Sequence, residues 1–211
     1  MTLRERLAAA RLYLVCPARP RAWLEDALRG GVDVVQLRDK DLDDGAIVAA
    51  AREFRAAADA TGALFMLNDR PDLVDACQAD GIHVGQDDET PAQARAAVGP
   101  ERIVGRSTHA PAQALAAQAD PAVDYLAVGP VHVTPTKPGR PATGLGYVET
   151  ASKTISKPWF AIGGIDTRTV HDVVIAGASR IVVVRAITEA DDPAATAREL
   201  RHALHAGDRA R

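Results

Sequence analysis

Residues Arg11-Leu-Tyr-Leu-Val-Cys-Pro17-Ala-Arg-Pro20 decide the fold. So short an apolar run, closed by prolines, predicts a strand and then a turn. Helical periodicity follows from Pro20 to Gly30, with Trp23, Leu24 and Ala27 on one face and Gly30 as the stop. Strand followed at once by helix points to a parallel sheet, either open and doubly wound or closed into a barrel. The open sheet calls for a glycine-rich phosphate turn after its first strand. Cys16-Pro17-Ala18-Arg19-Pro20 has no glycine, which favours the barrel.

The unit then repeats. Val32 to Lys40 reads as a second strand, and Asp43 or Asp44 can cap a helix in which Ile47, Val48, Ala51, Phe54 and Ala58 share a face. Ala63 to Leu67 reads as the third strand, with Pro71 in the first turn of the next helix. Gly81 to Gly85 and Ile103 to Ser107 are strands four and five, followed by helices from Thr90-Pro91 to Gly99 and from Pro111 to Ala117. Tyr125 to Val133 reads as strand six and Tyr147 to Ser156 as its helix. Trp159 to Ile162 is strand seven, and Asp166 caps a helix carrying Val170, Val173 and Val174. Ile181 to Val184 is strand eight, and Asp192-Pro193 opens the last helix. Met1 to Ala10 predicts a short lead-in helix. Eight such units in 211 residues predict an α/β chain, a (β/α)8 TIM barrel, with residues 1–211 as one domain.

Composition narrows the function. Apolar residues make up 47% and aromatics only 4%, so the core must be aliphatic and alanine-rich. A net charge of -3 without blocks of like charge argues against nucleic acid or an anionic membrane as partner. Cys16 and Cys77 form no close-spaced pair, which argues against a zinc site or a disulfide framework. Met1 to Ala10 lacks a signal-peptide apolar segment, and no apolar run approaches the roughly 20 residues of a membrane span. The expectation is a cytoplasmic protein; a homo-oligomer is compatible with the sequence.

Polar residues gather where the strands end. Gln36, Arg38 and Lys40 alternate at the end of strand two, Asn68 and Asp69 close strand three, and Asp88 lies just past strand four. Ser107 and His109 close strand five, and Gly163-Gly164 close strand seven. After strand six, Thr134-Pro135-Thr136-Lys137-Pro138-Gly139 packs two hydroxyls and an ammonium into one turn, which suits a phosphorylated ligand. All of these are C-terminal strand ends, the face on which barrel active sites are built. Asp69 and Asp88 on adjacent strands can share a hard cation such as magnesium, while Arg38, Lys40 and Lys137 balance a polyanion such as diphosphate. Gly163-Gly164 and the Val184-Arg185 junction suit a second anion.

The order Gln36-Leu-Arg-Asp-Lys40, Asn68-Asp69-Arg70, Gly81-Ile-His-Val-Gly-Gln-Asp-Asp88, Ser107-Thr-His109, Gly129-Pro-Val-His-Val-Thr-Pro-Thr-Lys137 and Ile162-Gly-Gly-Ile165 resembles the thiamine phosphate synthase family over nearly the whole chain. The resemblance implies an enzyme joining 4-amino-2-methyl-5-hydroxymethylpyrimidine diphosphate to 4-methyl-5-(2-phosphoethyl)thiazole, carboxylated or not, with release of diphosphate. It implies Mg2+ as cofactor, held by Asp69 and Asp88. Gln36, Arg38, Lys40, Asn68, Ser107 and Lys137 would bind the pyrimidine diphosphate, with Arg38, Lys40, Ser107 and Lys137 as the catalytic set. Thr134, Thr136, Gly164, Val184 and Arg185 would contact the thiazole phosphate. The implied mechanism is dissociative. Arg185 stands where a serine is expected, and Arg106 where a small apolar residue is common. A related thiazole tautomerase, using His109 as acid and base, is the alternative; it would not need the diphosphate site.

Overall fold

The computed structural model describes residues 1–134 and 141–209. Eight parallel strands close in sequence order: β1 (Leu12–Cys16), β2 (Val34–Leu37), β3 (Leu64–Asn68), β4 (Gly81–Val84), β5 (Ile103–Thr108), β6 (Tyr125–Val128), β7 (Trp159–Ile162) and β8 (Ile181–Val183), with β8 paired to β1. The helices between them are α2 (Arg21–Arg29), α3 (Asp44–Thr61), α4 (Val74–Cys77), α5 (Pro91–Val98), α6 (Pro111–Ala119), α7 (Leu145–Thr154) and α8 (Val170–Ile175). A one-turn helix, α9 (Arg185–Thr188), follows β8, and α10 (Pro193–Arg209) ends the described chain. The lead-in helix α1 (Leu3–Ala9) starts with a capping box between Thr2 and Glu5. The barrel expected from the sequence is therefore present.

Strand alternation divides the core into two parts. Leu12, Leu14, Val35, Leu37, Phe65, Leu67, Ile82 and Val84 pack outward under the helices. Tyr13, Val15, Val34, Leu64, Met66, Ile103, Tyr125, Phe160 and Val182 fill the barrel, and Leu7 of α1 joins them from the N-terminal end. That end is tied by a repeated clasp. Asp33, Asp80 and Asp124 stand just before β2, β4 and β6 and accept backbone N–H groups of Leu12, Phe65 and Val104 at 3.0, 2.8 and 2.8 Å. Arg201, Arg55 and Arg95 pair with the same three carboxylates. The position before β8 is Arg180, which instead donates to Ala8 and Ala10 carbonyls. These bonds stabilise one face of the barrel and leave the other for chemistry.

Some boundaries differ from the sequence reading. β6 stops at Val128 as a regular strand, since Pro130 has no N–H to give, and Val131 and His132 beyond it donate to the Ile162 and Gly163 carbonyls at 2.8 and 3.0 Å. Asp166 does not cap α8: Thr169 holds that position, and Asp166 accepts the N–H groups of Arg168 and Thr169 in the preceding turn. Asp43 rather than Asp44 caps α3, accepting from Ala46 N at 2.8 Å. The helix α9 has no counterpart in the sequence reading, where it is too short to show a period.

Candidate functional site

A cavity of about 390 Å3 opens at the C-terminal ends of the strands. Gln36, Arg38, Asn68, Ser107, Thr134, Gly164, Val184 and Arg185 all line it. They reach it by alternation: Gln36 on β2 and Arg38 just past its end are two apart, and Ser107 follows Gly105 inward on β5. A smaller hollow of about 250 Å3 shares Asn68 with the cavity and is lined by Lys40, Asp69 and Arg70. Asn68, at the end of β3, thus borders both spaces. Thr136 and Lys137 lie outside the described residues.

Asp69 is not the cap of the turn at Pro71; Arg70 occupies that position. Asp69 instead adopts a left-handed backbone, φ 56°, its N–H donating to the His83 carbonyl at 3.0 Å and its Oδ2 accepting from Asn68 Nδ2 at 2.6 Å. Burial pushes its carboxyl up to about 6, and the neighbouring Asp88 carboxylate adds to the rise. Asp88 is not a helix cap either: Thr90 caps α5, and Asp88 Oδ2 accepts from Gly85 N at 2.9 Å. Two carboxylates held together against their own repulsion are suited to a cation. Among the described residues no group of three or more His, Cys, Asp or Glu side chains is placed to hold a metal. The pair fits magnesium, which typically takes one or two carboxylates and completes its shell with water and phosphate oxygens.

Arg106 points away from the cavity, on the outer face of β5. Its guanidinium donates to the Gly85 carbonyl and, at 3.4 Å, to that of Glu89, so it braces the loop that carries Asp88. Burial lowers its pKa. On the opposite side, Gly163 and Gly164 have φ of 108° and 63°, and a Cβ on either would run into Pro130 or His132. Only glycine lets the ends of β6 and β7 approach this closely while leaving backbone open to a ligand. Arg185 is the first residue of α9, with Glu189 3.9 Å away, and both line the cavity.

His109 also lines the cavity, but its Nδ1 lies 2.6 Å from the Gly129 carbonyl, which fixes that nitrogen as the donor. His83, read from the sequence as packing, is more than that. Its two nitrogens lie 2.9 Å from Tyr125 Oη and 2.9 Å from Ser107 Oγ, and it faces the cavity with Tyr13. The tyrosines were legible only as strand residues; the available signal was that a chain with 3 tyrosines puts two into barrel strands, each needing a hydroxyl partner.

The comparisons with known proteins agree with this fold. Residues 12–187 match the family model described as thiamine monophosphate synthase. The chain is 50% identical over 209 residues to a thiamine-phosphate synthase of Thermobifida fusca, covering 96% of each chain. It is 52% identical to a thiamine-phosphate synthase of Thermus thermophilus, covering 92% of this chain and 97% of that one. The solved structure of a thiamine phosphate pyrophosphorylase from Pyrococcus furiosus superposes with a TM-score of 0.86 at 28% identity, covering 98% and 99% of the two chains. With its eight-stranded barrel closed and residues 12–187 matching the family model, this chain belongs to the thiamine monophosphate synthase family.

Proposed function

We propose that the chain acts as a thiamine-phosphate synthase in which the two halves of the cavity hold the two substrates. It transfers a pyrimidine-methyl group from diphosphate to the nitrogen of a thiazole phosphate. The C–O bond to diphosphate breaks with both electrons going to the leaving oxygen, and the thiazole nitrogen then donates its pair to the methylene carbon. Such a site must stabilise charge on the leaving group and needs no protein nucleophile. Arg38, Lys40 and Lys137 hold the diphosphate. Asn68 joins the cavity to the Lys40–Asp69 hollow, so the diphosphate lies between the cations and the carboxylate pair. Asp69 and Asp88 would hold Mg2+, which when bound neutralises charge on the phosphate oxygens. Gln36 and Ser107 seat the pyrimidine ring, and Thr134, Thr136, Gly164, Val184 and Arg185 take the thiazole phosphate. Arg185 does so by charge, in place of the serine hydroxyl of the family pattern.

The observation that carries this reading is the meeting of Gln36, Arg38, Asn68, Ser107, Gly164 and Arg185 around one cavity, with Asp69 and Lys40 beside it. We place the enzyme in the cytoplasm; among the described residues no helix is long and apolar enough to cross a membrane. The test is to give the purified protein both substrates with magnesium. Thiamine phosphate and diphosphate should appear in equal amounts. Thiazole isomerisation without either product, abolished by His109→Ala, would point to the tautomerase instead.

A further inference from the structure

A buried chain of side chains crosses the barrel beneath the cavity. Gln36 Nε2 donates to Tyr13 Oη at 2.6 Å, and the Tyr13 and Tyr125 hydroxyls meet at 3.0 Å. Tyr125 Oη lies 2.9 Å from His83 Nδ1, and His83 Nε2 lies 2.9 Å from Ser107 Oγ. The five residues come from five different strands, and none is more than 8% exposed. Space for the central link is built in. A Cβ on Gly105 would fall on the Tyr125 ring, and Phe160 packs edge-on against Tyr13 and Tyr125 with ring centroids 5.5 and 5.7 Å apart.

Counting hydrogens gives the chain a direction. Burial raises the pKa of both tyrosines, so each hydroxyl keeps its single hydrogen. With the Gln36 amide as donor, Tyr13 donates to Tyr125, and Tyr125 to His83 Nδ1. His83 then carries its hydrogen on Nε2 and donates to Ser107 Oγ. The Ser107 hydrogen is left to find an acceptor on the cavity side. Turning the Gln36 amide over reverses every link: Ser107 then donates to His83 and offers only lone pairs to a ligand.

We propose that Tyr13, Tyr125 and His83 are positioning residues that tie the Gln36 amide and the Ser107 hydroxyl into one directional hydrogen-bond chain. Those two groups therefore present a single matched donor and acceptor pattern to the aminopyrimidine. This rests on the reading that the ring is seated at Gln36 and Ser107. An aminopyrimidine has ring-nitrogen acceptors beside an amino donor, so it distinguishes the two directions of the chain.

The tautomer of His83 reports the direction without any substrate. Nitrogen-15 spectra of the free protein at pH 8, with His83 assigned by its loss in His83→Asn, should show the Nε2–H form. In Gln36→Glu, where an ionised carboxylate can only accept, the signal should move to the Nδ1–H form. In Tyr125→Phe, which keeps the ring packing, the preference should be lost. A tautomer that is Nδ1–H in the unaltered protein, or that neither variant moves, overturns the proposal. Kinetics supply the second arm. Tyr125→Phe should lower kcat by about tenfold, the scale of one neutral hydrogen bond. Ser107→Ala should then cost far less in the Tyr125→Phe background than alone; additive losses would mean that the chain has only a packing role. If the protein made no thiamine phosphate, the functional reading would fall, and the spectra would still say whether the chain is directional.

Discussion

Asp69 and Asp88 stand side by side past the ends of β3 and β4, and Asp88 helps to push the Asp69 carboxyl up to about 6. Each is held in place by a donor at its own strand end, Asn68 Nδ2 at 2.6 Å and Gly85 N at 2.9 Å. Two like charges are thus held in close contact, an arrangement that a bound cation would relieve.

That repulsion has a pH signature in the metal-free protein. Burial and the Asp88 carboxylate push the Asp69 carboxyl up to about 6, above the range of a free carboxyl, so the folded chain binds its proton more tightly. The contribution is most favourable below that range and falls away as pH rises through about 6. Asp88→Asn removes one like charge. It should stabilise the metal-free protein at pH 7.5 by about 1 kcal/mol, after allowance for solvent screening, and change little at pH 4. Calorimetric melting at the two pH values checks this; equal effects at both would remove the repulsion from the account.

Arg106 and Asp88 grip the same loop from opposite sides, through the Gly85 carbonyl and the Gly85 N–H. Arg106→Ala should loosen that loop without touching substrate. The magnesium concentration for half-maximal activity should rise roughly tenfold, the lower end of what lost metal-site support costs, while kcat at saturating metal stays close to the starting value. A metal titration of activity decides it. An unchanged magnesium requirement would make Arg106 a bystander.

Stability and catalysis should separate by face. Asp124 accepts from Val104 N at 2.8 Å and pairs with Arg95 at 2.5 Å at the N-terminal end of the barrel. Asp124→Ala leaves the Val104 N–H without its acceptor and removes the carboxylate facing the Arg95 guanidinium, which keeps carbonyl partners at Gly99, Arg102 and Ala122. It should cost about 2–4 kcal/mol in urea unfolding. At 25 °C, kcat of the folded enzyme should be unchanged. A large loss of kcat would mean that the two faces are coupled.

Lys137 carries its expectation from the sequence. Lys137→Ala should lower kcat by about 10²–10³, the usual loss on removing one key electrostatic donor from a reacting oxyanion. The melting temperature should stay within the error of the measurement. A near-normal rate would take Lys137 out of the diphosphate site.

Much of this was legible in the sequence because barrel strands end in the same direction. Once Gln36, Asn68, Asp69, Asp88 and Ser107 are seen to close successive apolar runs, the closed sheet puts them on one face. Aliphatic strands and proline- or glycine-marked helix ends also show through, as at Thr90-Pro91 and Gly99. What did not show was register. Tyr13, His83 and Tyr125 are far apart in the chain, and only the stagger between strands brings their polar tips into one layer. The outward direction of Arg106 follows from alternation, since its neighbours Gly105 and Ser107 point inward; what the sequence did not show was the Gly85 carbonyl it meets there. The end of β6 was overread because Val131 and Val133 continue an apolar pattern past Val128, where the regular strand has already ended.

The most direct test of the claim that Asp69 and Asp88 form the magnesium site is a calorimetric titration. Magnesium is added to the protein in the presence of diphosphate, with Asp88→Asn run beside it. The unaltered protein should take up metal, and Asp88→Asn should bind it at least tenfold more weakly, since the loss of a carboxylate should exceed that of an outer support. Equal affinity in the two proteins would contradict the account and move the metal away from the ends of β3 and β4.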